Sequence, residues 1–164
     1  MSSGIYWEGR CTWQRGMPAE RDAARICVWL VTLMLLTNGF WDTACAACIF
    51  SGTCGWLSTI HLDILLAGGI PTDALITRVV GFWIITNGCI RLLAGACPDT
   101  GGETGAFATY VIEGIAFVLA AAGSGSIRGY WMALASFLCA AGVGLRAWVR
   151  RVARRVFPVD IDSP

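Results

Sequence analysis

Lysine is absent from this 164-residue chain, histidine occurs once, and charged residues make up only 14 % of the whole. A soluble domain carries close to 25 % charge, and this chain lacks the polar residues needed to cover a water-facing surface. Low charge therefore excludes the soluble class. The alternating segments of about ten residues that build a membrane barrel are also missing, which excludes that fold. With one histidine, no GxSxG, no HExxH and no phosphate-binding glycine loop, there is little from which to build a hydrolase or oxidoreductase site. The missing lysine is read as codon bias rather than function.

What fills the space is apolar: 56 % hydrophobic residues and a mean hydropathy of +0.64. They gather into four long blocks. The first runs from about Ile26 to Trp41, with a continuation past Asp42 towards Phe50 left open. The second runs from about Thr77 to Cys97, the third from about Phe107 to Gly123, and the fourth from about Trp131 to Val149. Each approaches the roughly 20 residues that cross a hydrocarbon core about 30 Å thick. In lipid every backbone polar group needs an internal partner, so each block is expected to be a helix. The expected fold is all-α, an integral membrane four-helix bundle over residues 26–149. A polar tail (1–25) precedes it and a basic tail (150–164) follows it.

All twelve basic residues are arginine. Arg10, Arg15, Arg21 and Arg25 precede the first span, and Arg146, Arg150, Arg151, Arg154 and Arg155 lie at the end of the fourth. The segment between the first two spans holds Asp63 and Asp73 but no arginine. By the positive-inside rule both tails are expected to face the cytosol, or the matrix or stroma of an organelle. The first 25 residues hold no apolar core of signal-peptide length, and Glu8 and Glu20 suit a transit peptide poorly.

The connections are readable too. In "SGTCGWLSTIHLDILLAGGIPTDALIT", Leu57, Ile60 and Ile64 recur at helical spacing, which predicts a short amphipathic helix lying in the interface and ended by Gly68, Gly69 and Pro71. "CPDTGGETG" reads as a compact glycine turn at Gly101-Gly102 that makes the second and third spans an antiparallel hairpin. "GSGSIRG" does the same for the third and fourth. On the fourth span Ser136, Ala140 and Gly144 recur every four residues, the pattern of small side chains that lets helix backbones approach. They are expected to pack on the small residues Ala120 to Gly123 within the bundle. Beyond Arg146 the helix is expected to lie along the surface, with Val149, Val152 and Val156 inward. The arginines Arg146, Arg150, Arg151, Arg154 and Arg155 are then left for lipid phosphates or a partner.

Cysteine and histidine invite a metal reading. Cys45 and Cys48 form a CxxC, Cys54 follows, and His61 is the single histidine, but the spacing matches no standard zinc knuckle pair. A disulfide within the Cys45 to Cys54 region is left open. Cysteines inside the spans are expected to act as small hydrophobes. His61 is read as a solvated interfacial residue rather than a ligand of haem or pigment. No catalytic residue, cofactor or metal is expected.

The informative residues are the charges placed deep in apolar runs: Asp42, Arg91 and Glu113. Such groups are costly in lipid and face a partner or a polar cavity. Arg91 lies eleven residues before Gly102 and Glu113 eleven after it, so a turn there would put both at one depth. An Arg91–Glu113 ion pair is expected. Arg78, about 20 Å from Arg91 along the helix, marks the interface.

Within "RVVGFWIITNGCIR", Arg78, Gly81, Trp83, Ile90 and Arg91 resemble the second helix of the ergosterol biosynthetic protein 28 family. Thr109-Tyr110 and Phe117 are similar to its third helix. Ala135-Ser136-Phe137 and Gly144-Leu145-Arg146 resemble its fourth, and Trp29 to Val31 with Asn38 are a looser likeness to its first. The likeness covers roughly residues 25–150. It implies a non-catalytic four-helix scaffold that tethers sterol C-4 demethylation enzymes at the endoplasmic reticulum. Where that family has a His-Phe pair and then a Glu, this chain has Ala116-Phe117 and Ala120. That departure points to an alternative, an accessory subunit of a mitochondrial inner-membrane respiratory complex or of a thylakoid photosynthetic one. On either reading the partners are other integral membrane proteins and membrane lipids, with no nucleic acid.

Overall fold

Pro18 opens the first helix at the position where a missing backbone N–H costs nothing. The computed structural model describes residues 18–52, 61–63 and 74–156. Four long helices account for nearly all of them: α1 (Pro18–Ser51), α2 (Ala74–Ala96), α3 (Thr100–Ser124) and α4 (Ile127–Val156). Each contains a stretch long and apolar enough to cross a membrane. The protein is an all-α, four-helix integral membrane bundle.

The bundle is built with its large apolar side chains outward. Trp29, Phe40, Phe82, Leu93, Leu119, Trp131 and Leu138 are all more than half exposed. Only 17–39 % of each apolar window is buried within the protein, so most of that surface is left for lipid. The interior is made instead of small residues and a few aromatics. Val31, Leu35, Ala94, Ala106, Tyr110, Ala140 and Val143 form one cluster, and Cys45, Ala46 and Ile84 another. This is expected where lipid tails compete with apolar packing and close contact and polar bonds decide association.

Helix α1 runs antiparallel to α2, and α3 antiparallel to α4. These are the two closest pairs, while α2–α3 and α1–α4 contacts are thinner. Glycine sets the α1–α2 approach. Gly81, Gly88 and Gly95 recur every seven residues on the buried face of α2 and meet Ile49, Gly39 and Leu36 of α1. A Cβ at Gly39 would stand 2.9 Å from both the Gly88 carbonyl oxygen and the Leu92 backbone nitrogen. Backbone cannot swing aside, so Gly39→Ala forces the helices apart. An overpacking cost of about 1–3 kcal/mol is expected, read as a lower SDS midpoint in mixed micelles. Gly123→Ala, whose Cβ would meet nothing within 4 Å, serves as the near-neutral control.

The turns differ from expectation. The α2–α3 connection is Cys97 to Asp99, not Gly101-Gly102. Pro98 ends α2, and the Asp99 side chain accepts the Gly102 backbone N–H at 2.5 Å, which caps α3 and draws both glycines into its first turn. Gly125, at φ 67°, closes α3 in the left-handed conformation and leads directly into α4.

Helix α1 passes straight through Asp42 to Ser51, and α4 continues to Val156, beyond the expected limits of the membrane domain. The inward stripe of α4 is Gly129, Ala133, Ser136, Ala140, Val143, Arg146, Arg150 and Ala153. Ser136 and Ala140 thus face the core as expected, and half-buried Gly144 lies against Phe107. Of the small residues on α3, buried Ala121 meets Gly129, whereas Gly123 faces open space. Val152 is exposed and Val149 half-buried, so the expected inward valines give way to arginines. Of the proposed interfacial helix only residues 61–63 are described, and they are helical. The rest of that segment, Cys54, both tails and the side chains of Arg154 and Arg155 lie outside the described residues.

Candidate functional site

The polar core begins with heptad spacing on two helices. On α1, Val31, Leu35, Asn38, Asp42 and Cys45 fall on one face. On α3, Glu103, Ala106, Tyr110, Glu113 and Phe117 do the same. Helical side chains lean towards the N-terminus of their own helix. Arg91 therefore reaches back along α2, away from the turn, while Glu113 on antiparallel α3 leans towards it. Those opposed tilts close a stagger: Arg91 is five residues from the end of α2, whereas Glu113 is thirteen from the start of α3.

They meet at 2.7 Å, Arg91 Nη2 donating to Glu113 Oε2. The other fork of the guanidinium, Nη1, donates to Asp42 Oδ2 at 2.5 Å. One arginine thus joins α1, α2 and α3. Gly88 makes the Asp42 contact possible, because a Cβ there would lie 3.1 Å from the Asp42 Cβ. Beneath the guanidinium lies the Tyr110 ring, its centroid 3.9 Å from Arg91 Cζ, a cation–π contact in a dry setting. Asn38 Nδ2 donates to the Tyr110 hydroxyl at 2.9 Å, and Ser136 Oγ donates to Glu113 Oε2 at 3.2 Å, which brings in α4. Arg91, Asp42 and Glu113 are all less than 7 % exposed.

His61 is not solvated. It is 3 % exposed, with Nε2 3.8 Å from Asp42 Oδ1. Its burial holds the imidazole below its ordinary pKa of 6.5, so it is neutral at pH 7. The residues between the first two spans thus send one group into the core, where sequence reading left it in water. Cys45 and Cys48 are both buried on α1.

A second cluster sits where α2 ends and α3 begins. Glu103, in the first turn of α3, accepts from Arg150 Nη1 at 3.0 Å and forms an ion pair with Arg146, whose Nε stands 3.3 Å from the same oxygen. Arg146 Nη2 also donates to the Ala94 carbonyl at 3.2 Å, and Arg150 Nη1 to that of Pro98 at 2.9 Å. These carbonyls belong to the C-terminal end of α2 and the turn after it, where a helix leaves acceptors unsatisfied and favours cations. The N-terminus of α3 favours the carboxylate. Arg146 (0 % exposed) and Arg150 (5 %) are therefore internal cross-links and not the lipid or partner contacts expected of them. Arg151 is exposed and stays free for that role.

The family-motif positions divide. Gly81 and Arg91 are buried, Trp83 and Ile90 pack half-buried against the two core clusters, and Arg78 is exposed. Sequence reasoning missed Asp42 as a partner of Arg91, together with Asn38, Tyr110 and Glu103. The available signal was the heptad register of these polar residues with their buried neighbours. No protein-family model, curated protein or solved structure matches the chain.

Proposed function

We propose that the protein is a non-catalytic membrane scaffold that holds partner subunits in a multiprotein assembly. One observation carries this reading: the buried charges are engaged in joining helices to one another. Arg91 ties α1, α2 and α3, and Glu103 ties α3 to the two α4 arginines that hold the end of α2. A body braced in this way presents a fixed apolar surface, rich in exposed aromatics, against which other membrane helices can pack. Exposed Arg151 near the end of α4 is placed to meet lipid headgroups or a partner domain.

The likeness to the sterol tether favours the endoplasmic reticulum, and Ala116 and Ala120, where that family carries histidine and glutamate, favour an organellar complex. Extraction of the tagged full chain in digitonin, followed by native electrophoresis and mass spectrometry, separates them. The expected result is migration within an assembly far larger than the 17.5 kDa chain in its micelle. Stoichiometric sterol-modifying enzymes would support the tether, and respiratory or photosynthetic subunits the accessory role. Migration as the bare chain, or turnover of a substrate by the isolated protein, would refute the scaffold reading.

A further inference from the structure

We propose that Asp42, Glu113 and His61 form a binding site for one divalent first-row transition-metal ion inside the membrane bundle. This is independent of the scaffold reading. One ligand atom from each of the three residues can be chosen so that all lie within 4.8 Å of one another, and all three residues are buried. Metal–ligand bonds to histidine nitrogen and carboxylate oxygen are about 2.0–2.2 Å. A central ion therefore needs each donor to move inward by less than about 1 Å, which small side-chain rotations supply.

Three features point to a ligand rather than to a closed salt-bridge network. First, Arg91 takes Oδ2 of Asp42 and Oε2 of Glu113, and Ser136 donates to that same Glu113 oxygen. Each carboxylate thus has a second oxygen that neither Arg91 nor Ser136 occupies. Second, His61 is 3 % exposed, yet its Nδ1 has no hydrogen-bond partner and its Nε2 stands 3.8 Å from Asp42 Oδ1, beyond hydrogen-bond reach. A buried ring nitrogen without a hydrogen-bond partner is rare enough to need a reason. Third, two carboxylates share one guanidinium, so the cluster offers more anionic donor groups than arginines to engage them. The imidazole nitrogen among the donors favours a zinc-like ion over sodium, magnesium or calcium, which prefer all-oxygen cages.

Arg91, Ser136 and Tyr110 then act as the outer shell. The guanidinium fixes both carboxylates in one orientation, and Tyr110 holds the guanidinium. The site is distinct from the Cys45, Cys48, Cys54 and His61 grouping that the sequence spacing argues against, and it shares only the histidine with it.

The test uses full-length protein in nanodiscs of zwitterionic phospholipid, with Co²⁺ as the probe. One Co²⁺ per chain is expected, with visible ligand-field bands but no near-ultraviolet thiolate charge-transfer band. The chain has one histidine, so ¹⁵N-histidine labelling of the wild type gives a single imidazole whose signals should undergo large paramagnetic shifts or broadening at one equivalent. His61→Gln leaves the Arg91 pairs in place and is expected to weaken Co²⁺ binding by at least about 10–100-fold, the loss usual for altering a metal site. Excess Zn²⁺ should abolish both the bands and the shifts. A thiolate charge-transfer band, an unshifted imidazole, unchanged affinity in H61Q, or the absence of stoichiometric binding would each overturn the proposal. An imidazole that takes up a proton but leaves Co²⁺ unbound counts among those refutations.

Discussion

Replacing Arg91 by methionine is expected to cost the bundle about 3–5 kcal/mol, the range for breaking a buried ion pair by removing one partner. The loss is steep because two carboxylates depend on one cation. Asp42 and Glu113 are each less than 7 % exposed, and without the guanidinium they face each other as buried like charges. Lysine will not substitute. Its ammonium is a single point on a flexible stem and cannot fork to carboxylates on two different helices while lying flat on Tyr110. SDS titration in mixed micelles should show Arg91→Met and Arg91→Lys both well below wild type. The triple variant with Asp42→Asn, Glu113→Gln and Arg91→Met should recover much of the loss, because the destabilisation resides in the unpaired charge. A triple variant no more stable than Arg91→Met would show that packing around Arg91, not charge, holds the three helices.

The second large effect is expected at Glu103. Glu103→Gln removes the carboxylate that Arg146 and Arg150 share, at a cost of about 3 kcal/mol. This sits at the low end because the carbonyls of Ala94 and Pro98 still accept from those arginines. The same change withdraws a negative charge from the first turn of α3, which adds a few tenths through the helix dipole. Arg151→Gln, one residue beyond Arg150 but exposed, should fall within about 0.5 kcal/mol of wild type. Equal effects at Glu103 and Arg151 in the same titration would mean that the C-terminal arginines act only at the lipid surface.

These two clusters also show what the sequence could disclose. The four spans were legible because lipid demands internally paired backbone, and long apolar blocks without barrel-type alternation meet that demand only as helices. The Arg91–Glu113 contact was reachable by counting residues from the turn, although the turn itself was misplaced. Asp99 caps α3 and absorbs Gly101 and Gly102 into the helix, so the glycines that advertise a loop do not form it. Arg146 and Arg150 were misread for a related reason. Basic residues at the end of a span ordinarily reach for phosphates, and only the three-dimensional closeness of Glu103, assigned by sequence to a loop, turns them inward. His61 and Asp42 are nineteen residues apart in the chain and converge through a connection whose path no local periodicity specifies. Residue-scale periodicity reveals which face of a helix is buried. It does not reveal which neighbour that face will meet.

The pairing of helices has a consequence for how the protein is made. The α1–α2 pair buries Asp42 and Arg91, and the α3–α4 pair buries Glu103, Glu113, Arg146 and Arg150. Among the described residues, each pair is therefore neutral in its buried side-chain charges. An arginine or aspartate entering the bilayer alone costs about 2.5–3.5 kcal/mol on insertion scales. A ribosome delivering this chain releases Asp42 before Arg91, and Glu103 and Glu113 before Arg146 and Arg150, so each cation arrives with its counter-charge already emerged. The nascent chain can thus enter the membrane as two electrically balanced hairpins, and the Arg91–Glu113 and Asn38–Tyr110 bonds then fasten one to the other.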